Sequence, residues 1–368
     1  MNIKDEIQKI FNWIENQCQY GLIDLRTKEE FQRQHIINTT NIPLDQLPQR
    51  IFELPPRGNK ISFLYPINID DSGTITDLCE LESYKQSIEL RDTLINRSGY
   101  LVEFICYIDQ NTQDIFFASL INDNNKDIDR TLVESGSVSR LLWKACSFLE
   151  SSIDLIDTQL LKQLQQQPEQ KPSIYYSLDL ACGSGRDALF IAKRGHSNVI
   201  AVDHDPILLK KISDALPRYG IPEESVRCVQ LDLEPVYIDP AHLDRDHSNR
   251  LETNDPLKYT ADELNKLKSL LAQLRALSPV NGYHLVHVAR YLYRPLLPII
   301  AELIVPGGFV VFHTFMHPSK GKPKRPRYLL NYNELKERFT NSLFDIIEYQ
   351  ETLLEDNRPI QFLLARKQ

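Results

Sequence analysis

Asp179-Leu-Ala-Cys-Gly-Ser-Gly-Arg-Asp187 is the stretch on which the reading of this chain turns. An apolar run from Tyr175 leads into it, which predicts a strand, and a helix-like segment, Arg186 to Arg194, follows it. Gly183 and Gly185 carry no Cβ, so the backbone between strand and helix can turn sharply and come close to a ligand. A helix starting near Arg186 points its free N–H groups and the positive end of its dipole into the same space. A two-glycine turn also occurs in α/β proteins that bind no nucleotide, so the surroundings must decide.

Outward from the turn, strand-like and helix-like segments alternate. Tyr175–Ala181 reads as a strand, Arg186–Arg194 as a helix, Val199–Asp203 as a strand, Pro206–Tyr219 as a helix and Val226–Leu231 as a strand. Such βαβαβ alternation predicts a parallel sheet covered by helices. Strands at Tyr283–Ala289 and Gly308–Thr314, with a helix at Tyr293–Leu303 between them, continue it. The end differs, because Phe344–Thr352 and Pro359–Ala365 are joined by a short turn at Glu355-Asp-Asn and predict an antiparallel hairpin. Upstream, Leu142, Cys146, Leu149, Ile153, Ile156, Leu160 and Leu164 form one stripe at helical spacing, predicting a helix over Ser139–Leu164. Gln163 to Pro172 is polar and proline-interrupted and reads as a surface loop. Between Glu234 and Pro279 lies an insertion whose first part is expected to be mobile. Its second part predicts a packed helix with Asp262 ahead of Leu264, Leu267, Leu270 and Leu274.

Two carboxylates extend the constellation. Asp203 ends the second strand, about twenty residues past the turn, where it can accept the two hydroxyls of a ribose. Asp232 ends the third strand, where it can accept from an adenine amino group between Leu231 and Leu233. In order and spacing, DLACGSGRD, AVDHD and VQLDL resemble the first three motifs of the class I S-adenosylmethionine-dependent methyltransferases. Ala188 stands where the dinucleotide dehydrogenases carry a third glycine. The resemblance implies a Rossmann-like sheet closed by the antiparallel hairpin, S-adenosylmethionine as cofactor, and Asp179 orienting its amino-acid end. It implies a cofactor-binding set of Asp179, Ala181, Cys182, Gly183, Gly185, Arg186, Asp203, His204, Asp232, Leu233 and Val288. Arg186-Asp187 and GKPKRPRYLLNYNELKERF before the hairpin look like the small-molecule branch that includes tellurite-resistance-type methyltransferases.

Methyl transfer asks chiefly for in-line approach, because the cofactor carries the activated group. The motifs therefore identify the donor better than the acceptor. The acceptor is expected beyond the fourth and fifth strands, which bring His284, His287, Arg290, Tyr291, His313 and His317 toward the sheet's carboxyl edge. His287, Arg290 and Tyr291 are the candidate pocket floor, with His287 or His313 as candidate proton acceptors; packing and capping roles compete with this. His284 and His287 face opposite sides of a strand and cannot share one ion, so hydrogen-bonded histidines are preferred and no metal is expected. Lys320 to Arg327 carries five basic residues in eight. It reads as a solvated loop, with attraction of an anionic acceptor such as RNA as the competing view.

The N-terminal half carries a different pattern. Gly21 to Ile36, followed by Asn41-Ile-Pro-Leu, places Asp24, Arg26, Glu30, Phe31, His35 and Ile36 at the spacing of the rhodanese (sulfurtransferase) family, which it resembles from about Gln19 to Tyr107. That family needs a cysteine thiolate just after the strand that Lys60–Tyr65 resembles. Here the chain continues Pro-Ile-Asn-Ile-Asp, and Cys79 lies downstream without the surrounding pattern. An α/β domain without sulfur transfer, structural or recruiting a protein partner, is the expectation, with Cys79 as a relocated nucleophile the alternative. A Leu-Trp…Phe-Leu segment at Ser139–Leu149 resembles the helix that opens the second domain in rhodanese–methyltransferase fusions, which sets domains at 1–138 and 139–368.

The bulk numbers bound these readings. A chain of 368 residues suits two domains, and 42% hydrophobic with 25% charged residues is ordinary for a globular protein. A formal charge of -8 makes nucleic acid a poor default partner. Cys18, Cys79, Cys106, Cys146, Cys182 and Cys228 form no C-x-x-C pair, which fits a reducing compartment. No secretion signal is read at the N-terminus, and no run of about 18 uncharged apolar residues predicts a membrane span. A cytoplasmic methyltransferase is the leading expectation. A noncatalytic cofactor-binding scaffold, or an enzyme acting on RNA or protein, competes with it.

Overall fold

The computed structural model describes residues 2–69, 81–122, 132–166, 174–236, 259–319, 321–340, 343–354 and 356–368. Cys79, residues 167–172 of the glutamine-rich stretch, residues 237–258 of the insertion, Lys320 and Glu355 lie outside them. The chain divides into two compact units, Met1–Lys144 with Pro217–Gly220, and Ala145–Leu216 with Ile221–Gln368.

The first unit begins with α1 (Ile3–Glu15), whose N-terminus is capped by the Asn2 side chain accepting from Lys4 N at 3.1 Å. Ile7, Ile10 and Phe11 follow helical spacing and are buried. Strands β1 (Gly21–Asp24), β2 (His35–Ile36), β3 (Thr39–Asn41), β4 (Lys60–Ile67), β5 (Leu101–Asp109) and β6 (Val133–Glu134) accompany helices α2 (Lys28–Arg33), α3 (Leu47–Arg50), α4 (Glu82–Ser98) and α5 (Gln113–Asn122). The main sheet runs β3-β1-β4-β5, all parallel, and β2 pairs antiparallel with β6. Alternation along β4 sends Leu64 to a core with α1 and α5, while Ile61, Phe63 and Tyr65 join Leu94 of α4 on the other side. Both faces are thus covered, as a parallel sheet requires.

The second unit holds α6 (Ser147–Gln165), β7 (Tyr175–Leu180), α7 (Arg186–Lys193), β8 (Ser197–Asp203), α8 (Pro206–Ala215) and β9 (Val226–Gln230). A helix at Ala261–Ala276, β10 (Tyr283–Ala289), a helix at Leu296–Leu303, β11 (Ile304–Phe315), a short helix at Glu334–Phe339, β12 (Phe344–Leu353) and β13 (Pro359–Lys367) follow. Among the described residues the sheet has seven strands in the order β12-β13-β11-β10-β7-β8-β9. β7 to β11 are parallel, and the β12–β13 hairpin is antiparallel. The fold is α/β in both units, with a Rossmann-like sheet and terminal hairpin in the second.

Register decides what each face carries. Leu178 and Leu180 on β7 pair with Ile200 and Val202 on β8 and with Val286 and Val288 on β10, and all six lie in one buried cluster with Val310 and Phe312 of β11. Each such side chain contributes about 1.5–3 kcal/mol when fully buried. The alternate positions, Asp179 on β7, His287 on β10 and His313 on β11, therefore share the opposite face. No described helix is long and apolar enough to cross a membrane.

Several expected boundaries move. The stripe from Leu142 to Leu164 does not form one helix, because α6 starts at Ser147, with Cys146 extended (φ -51°, ψ 130°) as its N-cap. Residues before it are held elsewhere: Arg140 N donates to Thr39 O at 3.0 Å, and Leu142 packs on Gly21, where a Cβ would come within 2.8 Å. At its other end α6 runs on through Gln165, since Leu164 is buried and Gln163 Nε2 donates to Pro306 O at 3.3 Å. The α8 helix stops at Ala215 and passes into a 3-10 turn at Pro217–Tyr219. The insertion's helix is capped by Thr260 and Glu263 rather than Asp262, and Leu264 is exposed while Leu267, Leu270 and Leu274 are buried.

Candidate functional site

The chain passes outward from β7 to β8 and β9 and then returns to β10 on the other side of β7. In open α/β sheets ligands bind at the carboxyl ends of the strands where the order reverses, and the glycine turn follows β7 at that point. Ala181, Gly183 and Gly185 all adopt left-handed backbone, with φ of 54°, 55° and 74°. Cys182 N donates to Val202 O at 3.0 Å, and Gly185 N to Cys182 O at 2.9 Å, so the turn is tied to β8 and to itself. The two glycines do different work. A Cβ at Gly183 would meet nothing within 4 Å, whereas one at Gly185 would overlap Ile212 of α8. Gly183 leaves open space beside the turn; Gly185 lets α7 and α8 pack.

Asp203, buried at the end of β8, receives Gly183 N at 2.8 Å on one oxygen and Asp205 N at 3.0 Å on the other. His204 is exposed, with Nδ1 3.2 Å from the same carboxylate. Asp232 is exposed past β9 and accepts from Glu234 N at 2.9 Å. Leu233 and Val288 are buried in the apolar core rather than open to the crevice. Arg186 opens α7. Burial, then the charges of Asp179 and Asp203, push the Cys182 thiol far up, so it stays neutral.

Beneath the turn lies a buried polar cluster. Asp179 is 2% exposed, with one carboxylate oxygen lacking a hydrogen-bond partner. Burial raises its carboxyl to about 7; His287 opposes this rise, and Asp187 and Asp203 add to it. His287 is fully buried, with Nε2 3.0 Å from Asp187 Oδ2. Burial disfavours its protonated ring, but the Asp187 hydrogen bond and the charges of Asp187 and Asp179 outweigh this and raise its pKa. The other Asp187 oxygen accepts from Cys146 N at 2.7 Å. His313 is 2% exposed, lies 3.2 Å from Cys146 Sγ through Nδ1, and is driven down to about 3 by burial and by His287. Burial, then Asp187, pushes the Cys146 thiol up to about 12.

His287 and His313 are thus enclosed partners of other side chains and do not line an open floor. Arg290 is exposed, with a left-handed backbone (φ 57°) and its N–H donating to His313 O at 2.8 Å. Tyr291 donates to Glu234 at 3.2 Å. His284 stands apart, accepting from Tyr176 N at 3.2 Å, and His317 follows β11. Among the described residues no three His, Cys, Asp or Glu side chains are grouped to hold a metal ion. Asp187 and Cys146 were absent from the expected site set; the acid sits in the quoted motif, but its partner is a hundred residues away.

Two family models match the chain. One, described as a methyltransferase domain, covers residues 178–271, and the other, described as a rhodanese-like domain, covers residues 5–87. The chain joins a rhodanese-like domain to a methyltransferase domain. Among solved structures it is similar to TehB from Haemophilus influenzae, at 15% identity over 68% of this chain and 67% of that one, with a TM-score of 0.37. It is also similar to an rRNA methylase from Streptococcus thermophilus, at 14% identity over 60% and 95%, with a TM-score of 0.36. The magnesium protoporphyrin IX methyltransferase of Synechocystis, solved with bound SAH, stands at 12% identity over 60% and 84%, with a TM-score of 0.37. No curated protein matches in sequence.

In the rhodanese-like domain the signature residues hold the fold. Asp24 and Arg26 form a buried ion pair at 2.6 Å, and the guanidinium lies 4.7 Å over the Phe117 ring. Asn41 Nδ2 donates to Asp24 O and Arg26 O at 3.1 and 2.9 Å. Thr27 and Glu30 make a capping box on α2, while Phe31 stacks on His35 at 3.8 Å. Strand β4 runs two residues past the expected Tyr65, and burial pushes the thiol of Cys106, on the neighbouring β5, well up.

Proposed function

We propose that this protein transfers a methyl group from S-adenosylmethionine to a small-molecule acceptor. The observation that carries the reading is the turn itself: Gly183 opens onto empty space, Asp203 is bound to the same turn, and a buried Asp179 oxygen lacks a partner. These residues suit the donor's three polar ends. Asp179 suits an ammonium, Asp203 retains lone pairs for ribose hydroxyls, and Asp232 can accept from an adenine amino group. The bound donor supplies an activated methyl group; the chain's part is to orient it and exclude water. Arg290 and Tyr291, at the carboxyl edge after β10, line the acceptor side in this reading. Incubation with methyl-radiolabelled donor and fractionated cell extract should move label into small molecules. Label in RNA or protein would replace the acceptor class, and no transfer into any fraction would remove the activity.

The rhodanese-like domain is read as a recruiting module without sulfur transfer, because Asp24, Arg26, Phe31 and His35 are engaged in packing and no cysteine follows β4 directly. Thiosulfate and cyanide should yield no thiocyanate. Robust yield lost on Cys79→Ser would overturn this.

A further inference from the structure

The polar face beneath the glycine turn gathers Asp179, His287 and His313, with Asp187 against His287. Asp179 and His287 are register partners on neighbouring parallel strands, so both side chains leave the same face of the sheet. Both are buried, Asp179 Oδ2 lacks a hydrogen-bond partner, and the His287 ring is drawn toward its protonated form by Asp187, by Asp179 and by the Val311 backbone. Asp187 fixes the imidazole from the far side at 3.0 Å and is itself fixed by Cys146 N at 2.7 Å. An isolated carboxylate in such a place would take up a proton rather than stay charged.

We propose that His287, held by Asp187, is a positioning residue that keeps the Asp179 carboxylate ionised to grip the ammonium end of the methyl donor. The inference rests on the donor reading above. The groups facing Asp179 divide clearly. Asp187 from α7 and Asp203 from β8 push it toward the neutral acid, while the Ala188 N–H favours the anion. His287 from β10, whose own pKa is raised, opposes the two acids. His313 from β11 is held neutral beside His287, and Arg290 also faces His313. Without His287, Asp179 would keep its proton to higher pH and offer the ammonium no charge.

The test is calorimetric binding of S-adenosylhomocysteine, which carries the same ammonium, by the full chain between about pH 6 and 8.5. Relative to wild type, His287→Gln should bind roughly tenfold more weakly near neutrality and shift the acid limb of the affinity profile up by about one pH unit. Asp179→Asn should bind weakly with a flat profile, and adding His287→Gln should leave that profile unchanged. A folded His287→Gln protein with the wild-type profile, or one weakened equally at every pH, overturns the proposal. Should that variant not fold, ring-nitrogen NMR of the wild type decides instead. A His287 that is doubly protonated at neutral pH and whose pKa falls in Asp179→Asn supports the coupling; a neutral ring, or a pKa that Asp179→Asn leaves unchanged, overturns it. Wild-type protein that binds no S-adenosylhomocysteine overturns the donor reading itself.

Discussion

Gly183 N donates to the Asp203 carboxylate at 2.8 Å, so the turn after β7 and the acid ending β8 form one hydrogen-bonded unit. The acid proposed to accept the ribose hydroxyls also holds the loop. Asp203→Ala should therefore weaken donor binding by roughly 10- to 100-fold, the range expected when hydrogen bonds to a charged group are lost. Titration calorimetry checks it, and unchanged affinity would detach Asp203 from the site.

Gly185 combines left-handed backbone with contact to Ile212. Gly185→Ala should cost about 1–2 kcal/mol for the backbone and about 1–3 kcal/mol for the overlap. In an Ile212→Ala background the same change should cost the backbone part alone. Denaturant unfolding of the four proteins measures this coupling.

The buried Asp24–Arg26 pair predicts a different sensitivity. Removing one partner leaves the other charged and enclosed, so Asp24→Ala should destabilise the rhodanese-like domain by roughly 3–5 kcal/mol. Denaturant unfolding followed by limited proteolysis checks this, and a change within error would show that Arg26 finds another partner.

Glu334 gives a pH signature. Burial alone would raise its carboxyl, but Arg294, at 2.7 and 2.8 Å, outweighs this and holds it below its usual value. Because the folded value is depressed, its stabilising contribution is present above the unfolded value of about 4.3 and is lost as pH falls through the folded value. Wild type should exceed Glu334→Gln in melting temperature at neutral pH, with the gap closing in acid below about pH 4. A gap independent of pH would contradict the assignment.

Much of this was legible in the chain. Tyr283–Ala289 reads as a strand and is one, and the run from Tyr175 to Asp203 gives its strand, turn and acid in order, because local apolar pattern and glycine chemistry fix them. The start of α6 was not legible. Leu142 fits the helical stripe by spacing, yet packs on Gly21 in a different core, a choice made by tertiary structure. His287 illustrates the limit at the site. Its position on a strand is readable, but its partnership with Asp187 depends on how β10 registers against β7, which no local pattern carries. The reverse holds for Leu233 and Val288, whose motif positions suggested donor contacts while their side chains fill the core.

Titration of the wild-type chain with S-adenosylmethionine tests the central claim most directly. Saturable binding of one donor per chain is the expected result. A folded protein that takes up no donor would contradict the assignment of the turn between Asp179 and Asp187.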